Sequence, residues 1–223
     1  MDKGVGVVFK KFREPVSGLT HLFGVGISII GLIILIKYAL KLSDIQYIGA
    51  FVVFGVSLIL LYSASTVYHL TAASQKVIKV LRRIDHSMIY VLIAGSYTPI
   101  CLIALKGKLG LTILTIIWSL AVFGILVKNF WFDAPKWLST FFYIFMGWLV
   151  IVAIFPLARV FTGIAIMWLV IGGIAYTVGG IIYGLDRPKL KNKYFGAHEI
   201  FHIFVLVGSF CHYWLVLRYV TIM

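Results

Sequence analysis

Charge is what this chain has least of. Of its 223 residues only 12% are Asp, Glu, Lys or Arg, against about 25% in soluble domains. So few ionic groups cannot cover the surface of a water-soluble globule, and a disordered chain would be far more polar. Acidic residues are scarcest, seven against 20 Lys and Arg, for a net charge of +13. Such a balance ordinarily points to nucleic acid, but that function needs a polar surface, which is absent here. Cysteine is nearly missing too. Cys101 and Cys211 lie in apolar stretches with no CxxC spacing, which excludes a disulfide framework or a thiolate metal site and predicts two packing residues.

What is present is apolar. Hydrophobic residues make up 62% of the chain and the mean hydropathy is +1.06. A bilayer core takes about 20 apolar residues per helix. Stretches without a charged residue run over 18–36, 45–75, 86–105, 109–127, 137–158, 160–185 and 200–217. These seven stretches predict an all-α integral membrane protein, a seven-transmembrane-helix bundle. Its connections are too short to fold separately, so the chain divides into a short basic segment, 1–17, and a membrane domain, 18–223. The basic start is followed by Arg13-Glu14-Pro15 and a full-length span with no small-residue cleavage site, so the first span is expected to be retained.

The excess of Lys and Arg then reads as topology. Fourteen fall on the side of the N-terminus and six on the other, which predicts a cytoplasmic N-terminus and an outside C-terminus. Trp131, Trp137, Tyr194 and Tyr213 are expected near span boundaries as an interfacial belt. Gly180 and Gly184 form a GxxxG for close helix contact, and Pro99 predicts a kink.

The informative residues are ionisable groups in apolar surroundings, which are costly there and mark function by default. All six histidines, at 21, 69, 86, 198, 202 and 212, lie in the spans or at their ends. With the orientation fixed, His69, Asp85, His198 and His202 come to one depth, at the cytoplasmic ends of spans two, three and seven. His198 and His202 are four apart in HEIFH, on one helix face. Two such nitrogens and a third from another helix can surround zinc at about 2.0–2.1 Å. Ser65, four before His69, shares its face, and Asp85 is placed to bind the ion or accept a hydrogen bond from its water. Spacing alone leaves a metal site and a plain polar cluster equally open.

At these residues the chain resembles a known family. The blocks GLTHLFG, SASTVYH, RRIDHSMIYVLIAGSYTP and HEIFHIFVLVGSFCH, in this order, are similar to those of the bacterial hemolysin III proteins. More distantly they resemble the progestin and adipoQ (adiponectin) receptors, which share seven spans. The resemblance runs from about Glu14 to the C-terminus. It implies a bacterial inner-membrane location and zinc held by His69, His198 and His202. Asp85 and Ser65 match the residues associated with the metal-bound water in the receptors. His21, His86 and His212 are read as structural, with His86 facing headgroups and His212 about 15 Å along the helix from His202, too far for the ion.

Three protein ligands leave a fourth position for water, the arrangement of catalytic zinc. A lipid amide or ester hydrolase follows, with Asp85 as general base, Ser65 as positioning group, membrane lipids as partners and ceramide-like substrates implied by the receptor branch. HEIFH also spells the H-E-x-x-H of zinc proteases, with Glu199 as base, but the receptors carry Gln there, and Glu199 is equally suited to a helix N-terminus. The alternatives are a receptor or membrane sensor with a structural zinc, and, from the family name, a cytolysin. No polar stripe runs along any span, as a single-chain pore would need.

Overall fold

In the computed structural model, which describes residues 12–131, 135–189 and 195–223, the described residues are helical and contain no strand. Seven helices are long and apolar enough to cross a membrane: α1 Pro15–Leu42, α2 Ile45–Leu70, α3 Gln75–Ala104, α4 Gly107–Phe130, α5 Lys136–Val160, α6 Gly163–Leu185 and α7 Ala197–Val220. The shortest has 23 residues, about 35 Å at 1.5 Å per residue, enough to span the hydrocarbon. Leu22, Phe23, Ile30 and Ile33 on α1, and Val152 and Phe155 on α5, are exposed. A belt of this kind would aggregate in water and is at rest only in lipid. Lys3, Lys10, Lys11, Lys191, Lys193 and Tyr194 lie outside the described residues.

The helices overrun the uncharged stretches. α1 continues past Lys37 and Lys41 to Leu42, and α3 begins at Gln75, ahead of Lys76, Lys79, Arg82, Arg83 and Asp85. Long basic side chains can extend a membrane helix by carrying their charges toward water. Asp85 therefore sits almost three turns inside α3 and does not open it.

Local causes shape several elements. Asp44 caps α2 by accepting from the Gln46 N–H at 2.8 Å, and Thr162 caps α6 by accepting from the Ala165 N–H at 3.3 Å. At Pro99 the helix continues, and the ladder widens into a π turn over Ile100–Ala104. α5 tightens to a 3-10 stretch over Leu149–Ala153 where another helix intrudes. The Tyr97 hydroxyl accepts from the Val150 N–H at 2.8 Å and lies 2.9 and 2.8 Å from the Met146 and Gly147 carbonyls. A side chain inserted into the ladder accounts for the break.

α1 buries Ser17 and, three or four residues apart, Gly18, His21, Gly24, Ser28 and Gly31 against α2 and α7. A Cβ at Gly24 would lie 2.8 Å from the Tyr62 ring, so the close approach requires glycine. Gly180 and Gly184 face Thr140 and Ile144 of α5. Trp131 and Trp137 are exposed at the ends of α4 and α5. Tyr213 is different: it lies within α7, and its hydroxyl donates to the Gly31 carbonyl at 3.1 Å, tying α7 to α1 in place of anchoring at an interface. Cys101 and Cys211 are free and buried.

Candidate metal centre

His69 stands in the last turn of α2, and His198 and His202 in the first turns of α7. The fold brings the three together: one ring nitrogen from each lies within 4.8 Å of the others. His69 Nε2 and His198 Nε2 are 3.2 Å apart. Two nitrogens bound tetrahedrally at about 2.0–2.1 Å would be separated by roughly 3.3 Å, so this pair is already spaced to share one ion. His69 and His202 are 1% and 2% exposed, which leaves their free nitrogens little access to water.

The tautomers follow from the partners. His69 Nδ1 is paired with the Glu14 carboxylate. His202 Nδ1 faces the Ser17 carbonyl at 3.2 Å. Both partners accept only, so both Nδ1 atoms carry the proton and both Nε2 lone pairs turn to the cluster. A carboxylate or carbonyl behind a histidine is the usual support of a metal-binding imidazole. Burial acts to raise the Glu14 carboxyl pKa, but the His69 hydrogen bond and the Arg13 charge work the other way and hold it below the usual carboxylate range. Glu14 is thus an anion and an acceptor at neutral pH.

Glu14 and Ser17 were not singled out by sequence reasoning, and they are the centre of a clasp. The Glu14 N–H donates to the His69 carbonyl at 3.0 Å. The Ser17 hydroxyl donates to Glu199 Oε1 at 2.6 Å, and the Gly196 N–H donates to Glu199 Oε2 at 2.8 Å. The start of α1 therefore holds the end of α2 and the start of α7 at once. Glu199 thus caps the head of α7 from its third position, its carboxylate taking the Gly196 N–H, while Gly196, without a side chain, returns no bond. Both its oxygens are engaged, which places it in the scaffold and not in the position of a protease base. The signal available in the sequence for Glu14 was its rarity, as one of seven acids set just before a helix-starting proline.

A cavity of about 280 Å³ adjoins the cluster, lined among others by Ser65, Asp85, His198 and His202. Asp85 is buried. It lies outside the three-histidine group but on the same cavity. His21 stacks on His202 with ring centres 3.7 Å apart and planes 5° apart. His86 is buried and lines the cavity, contrary to the expectation that it meets headgroups; it sits well inside α3, whose start the charge pattern concealed. His212 also lines the cavity, outside the three-histidine group, with Nε2 3.2 Å from the Leu169 carbonyl.

The family model described as "Haemolysin-III related" matches residues 9–213. The chain belongs to the hemolysin III family. Among its relatives in this family, it is 46% identical to "Hemolysin-3" of Bacillus cereus over 208 residues, 93% of this chain and 92% of that one. It is 44% identical to a "Hemolysin-3 homolog" of Bacillus subtilis over 207 residues, 93% and 94% of the two chains. More distantly, it is 26% identical to the human "Monocyte to macrophage differentiation factor" over 218 residues, 93% and 84% of the chains, in keeping with the family's place in the progestin and adipoQ receptor superfamily. The clasp and the histidine cluster, from Glu14 to His202, fall wholly inside the matched region.

Proposed function

We propose that this hemolysin III protein is a zinc-dependent hydrolase of membrane-lipid amide or ester bonds, working at the cytoplasmic face of a bacterial inner membrane. The observation that carries the reading is the coincidence of a three-imidazole cluster, a buried carboxylate and an apolar-walled cavity in one place. His69, His198 and His202 would hold the ion. The donor set of three neutral imidazoles suits zinc and leaves a position open. When bound, zinc would supply Lewis acidity and a nucleophile at neutral pH.

The protein's own groups do the rest. His69 and His202 are kept in the Nδ1–H tautomer by Glu14 and Ser17, so no reorientation is needed before the site can work. Asp85 is the general base: its carboxylate takes a proton from the attacking water and returns it to the leaving amine or alcohol. Ser65, on the same cavity, would donate to Asp85 and fix its rotamer. The apolar wall, including Leu92, Ile93 and Val205, receives the acyl chain and keeps bulk water away.

Two measurements test this. Stoichiometric zinc in the purified protein should be lost in His69→Ala and His202→Ala, and unchanged metal content would sink the site. A panel of ceramide-like and ester lipids should be cleaved by the zinc-loaded protein and not by Asp85→Ala. Equal rates in the two would sink the hydrolase. A structural zinc in a receptor-like protein is the second reading, favoured by the clasp, which joins α1, α2 and α7 around the cluster. It predicts full zinc and no cleavage by either protein.

A further inference from the structure

Among the described residues, His21 on α1 is the one imidazole with both ring nitrogens buried and without a hydrogen-bond partner. The residue is only 3% exposed. A neutral imidazole carries one N–H and one lone pair, and leaving either unpaired away from water costs folding free energy. Packing does not account for the choice of residue. The His21 ring lies flat on that of His202, with centres 3.7 Å and planes 5° apart, and meets the Tyr62 ring at 71° with centres 5.0 Å apart. A phenylalanine would offer the same flat face and the same edge with no orphaned atom.

The position of the ring supplies a reason. His21 stands on the wall of the cavity with Ser65, Asp85, His198 and His202. It lies outside the three-histidine group, yet it covers one face of a member of that group. A group lodged in the cavity against His202 therefore comes within reach of the His21 edge. The companions of His21 on that wall have other work. The Nε2 lone pair of His202 turns to the cluster, and in the reading above Asp85 accepts a proton and Ser65 donates to Asp85. What His21 brings is an N–H whose acceptor no side chain supplies. In an apolar-walled cavity one such polar group fixes the orientation of an otherwise hydrocarbon ligand.

We infer that His21 is a ligand-binding residue of this site, its ring N–H donating to the carbonyl oxygen of an acyl amphiphile lodged in the cavity beside His202. The inference rests on the hydrolase reading and deepens it, because this hydrogen bond strengthens as negative charge gathers on that oxygen during attack on the carbonyl carbon.

The test uses the full-length protein, its histidines labelled for nitrogen NMR, in nanodiscs of ether-linked phosphatidylcholine, a lipid without a carbonyl. The probe is decanamide, and decane is the same chain without the acceptor. Decanamide should move a His21 ring-nitrogen resonance, assigned by its absence in His21→Phe and His21→Gln, and decane should leave it in place. The shift should survive a chelator, because the donor is a side chain. In calorimetry against empty discs, His21→Phe should bind decanamide roughly two- to tenfold more weakly, the range of one neutral hydrogen bond. Its ligand-free melting temperature should equal or exceed that of the wild type, since the orphaned nitrogens are gone. Its zinc affinity should stay within about threefold, since the stack on His202 is kept. No shift with decanamide, an equal shift with decane, or undiminished affinity in His21→Phe would each overturn the proposal. Loss of zinc in His21→Phe would make the residue a support of His202 and overturn it as well. A protein whose His21 answers decanamide but which cleaves no lipid overturns only the hydrolase. One that cleaves lipid equally well with His21→Phe and shows no shift overturns only the assignment of His21.

Discussion

At the scale of single residues, Glu14 and Ser17 contact the cluster by different atoms, and this makes them separable. Glu14 acts through its carboxylate on His69, whereas Ser17 acts on His202 through its main-chain carbonyl. Glu14→Gln keeps the size but weakens the acceptor, so zinc affinity in a chelator competition should fall by about 10- to 100-fold. Ser17→Ala leaves the carbonyl in place and removes only the hydroxyl held by Glu199. Its zinc affinity should stay within about threefold of wild type, with about 1 kcal/mol lost from stability, as for a lost cap partner. An equal loss of affinity in both would show that the clasp acts by general packing. That His198 and His202 share a face was legible from the i, i+4 spacing of HEIFH, and that His69 joins them followed from the family resemblance. The residues behind them were not legible, because Glu14 meets His69 across 55 positions and Ser17 meets Glu199 across 182, distances over which no local pattern carries information.

At the scale of helices, α1 is the element whose packing decides the site. Its buried stripe is mostly Gly, Ser and Ala, which lets α2 and α7 approach, and its first turn carries the clasp. Gly24→Val would drive a side chain into Tyr62 and should cost about 1–3 kcal/mol of stability by overpacking. It should also weaken zinc binding, although Gly24 touches no ligand. Gly26→Ala is the control on the same helix: nothing lies within 4 Å of its Cβ, so stability should hold or rise slightly. Thermal unfolding and metal content measured on both variants check the pair. Helix existence was written plainly in the hydropathy, since the bilayer imposes a length that few other constraints imitate. Helix ends were not. A count of uncharged residues stops at the first Lys or Asp, whereas α1 runs on past Lys37 and α3 starts ten residues before Asp85. That error hid the burial of His86.

At the scale of the whole molecule, two predictions concern orientation and metal. The charge count predicts a cytoplasmic N-terminus, and on that prediction the α1–α2 turn at Ser43 would face outside and the α2–α3 turn at Ser74 would face in. A cysteine introduced by Ser43→Cys should react with a membrane-impermeant maleimide on intact cells, and one introduced by Ser74→Cys only after permeabilisation. The native Cys101 and Cys211 are buried and should stay silent. The opposite pattern would invert the topology and move the site to the other face. Zinc bridging α2 and α7 should also stabilise the bundle by mass action, by about 2.7 kcal/mol at a free concentration 100 times Kd. A chelator should therefore lower the melting temperature of the wild type and leave that of His202→Ala unchanged.

The clasp has a further consequence for how the chain is made. Its two halves are separated by almost the full length of the polypeptide, Ser17 near one end and Glu199 near the other. During synthesis the first six helices can enter the membrane with His69 as their one member of the three-histidine group. The remaining two ligands, and the acid that locks Ser17, emerge together on the last helix. If the cluster holds zinc as proposed, loading would be a late event in biogenesis, and a chain stopped short of α7 would lack two of the three histidines however much metal surrounds it.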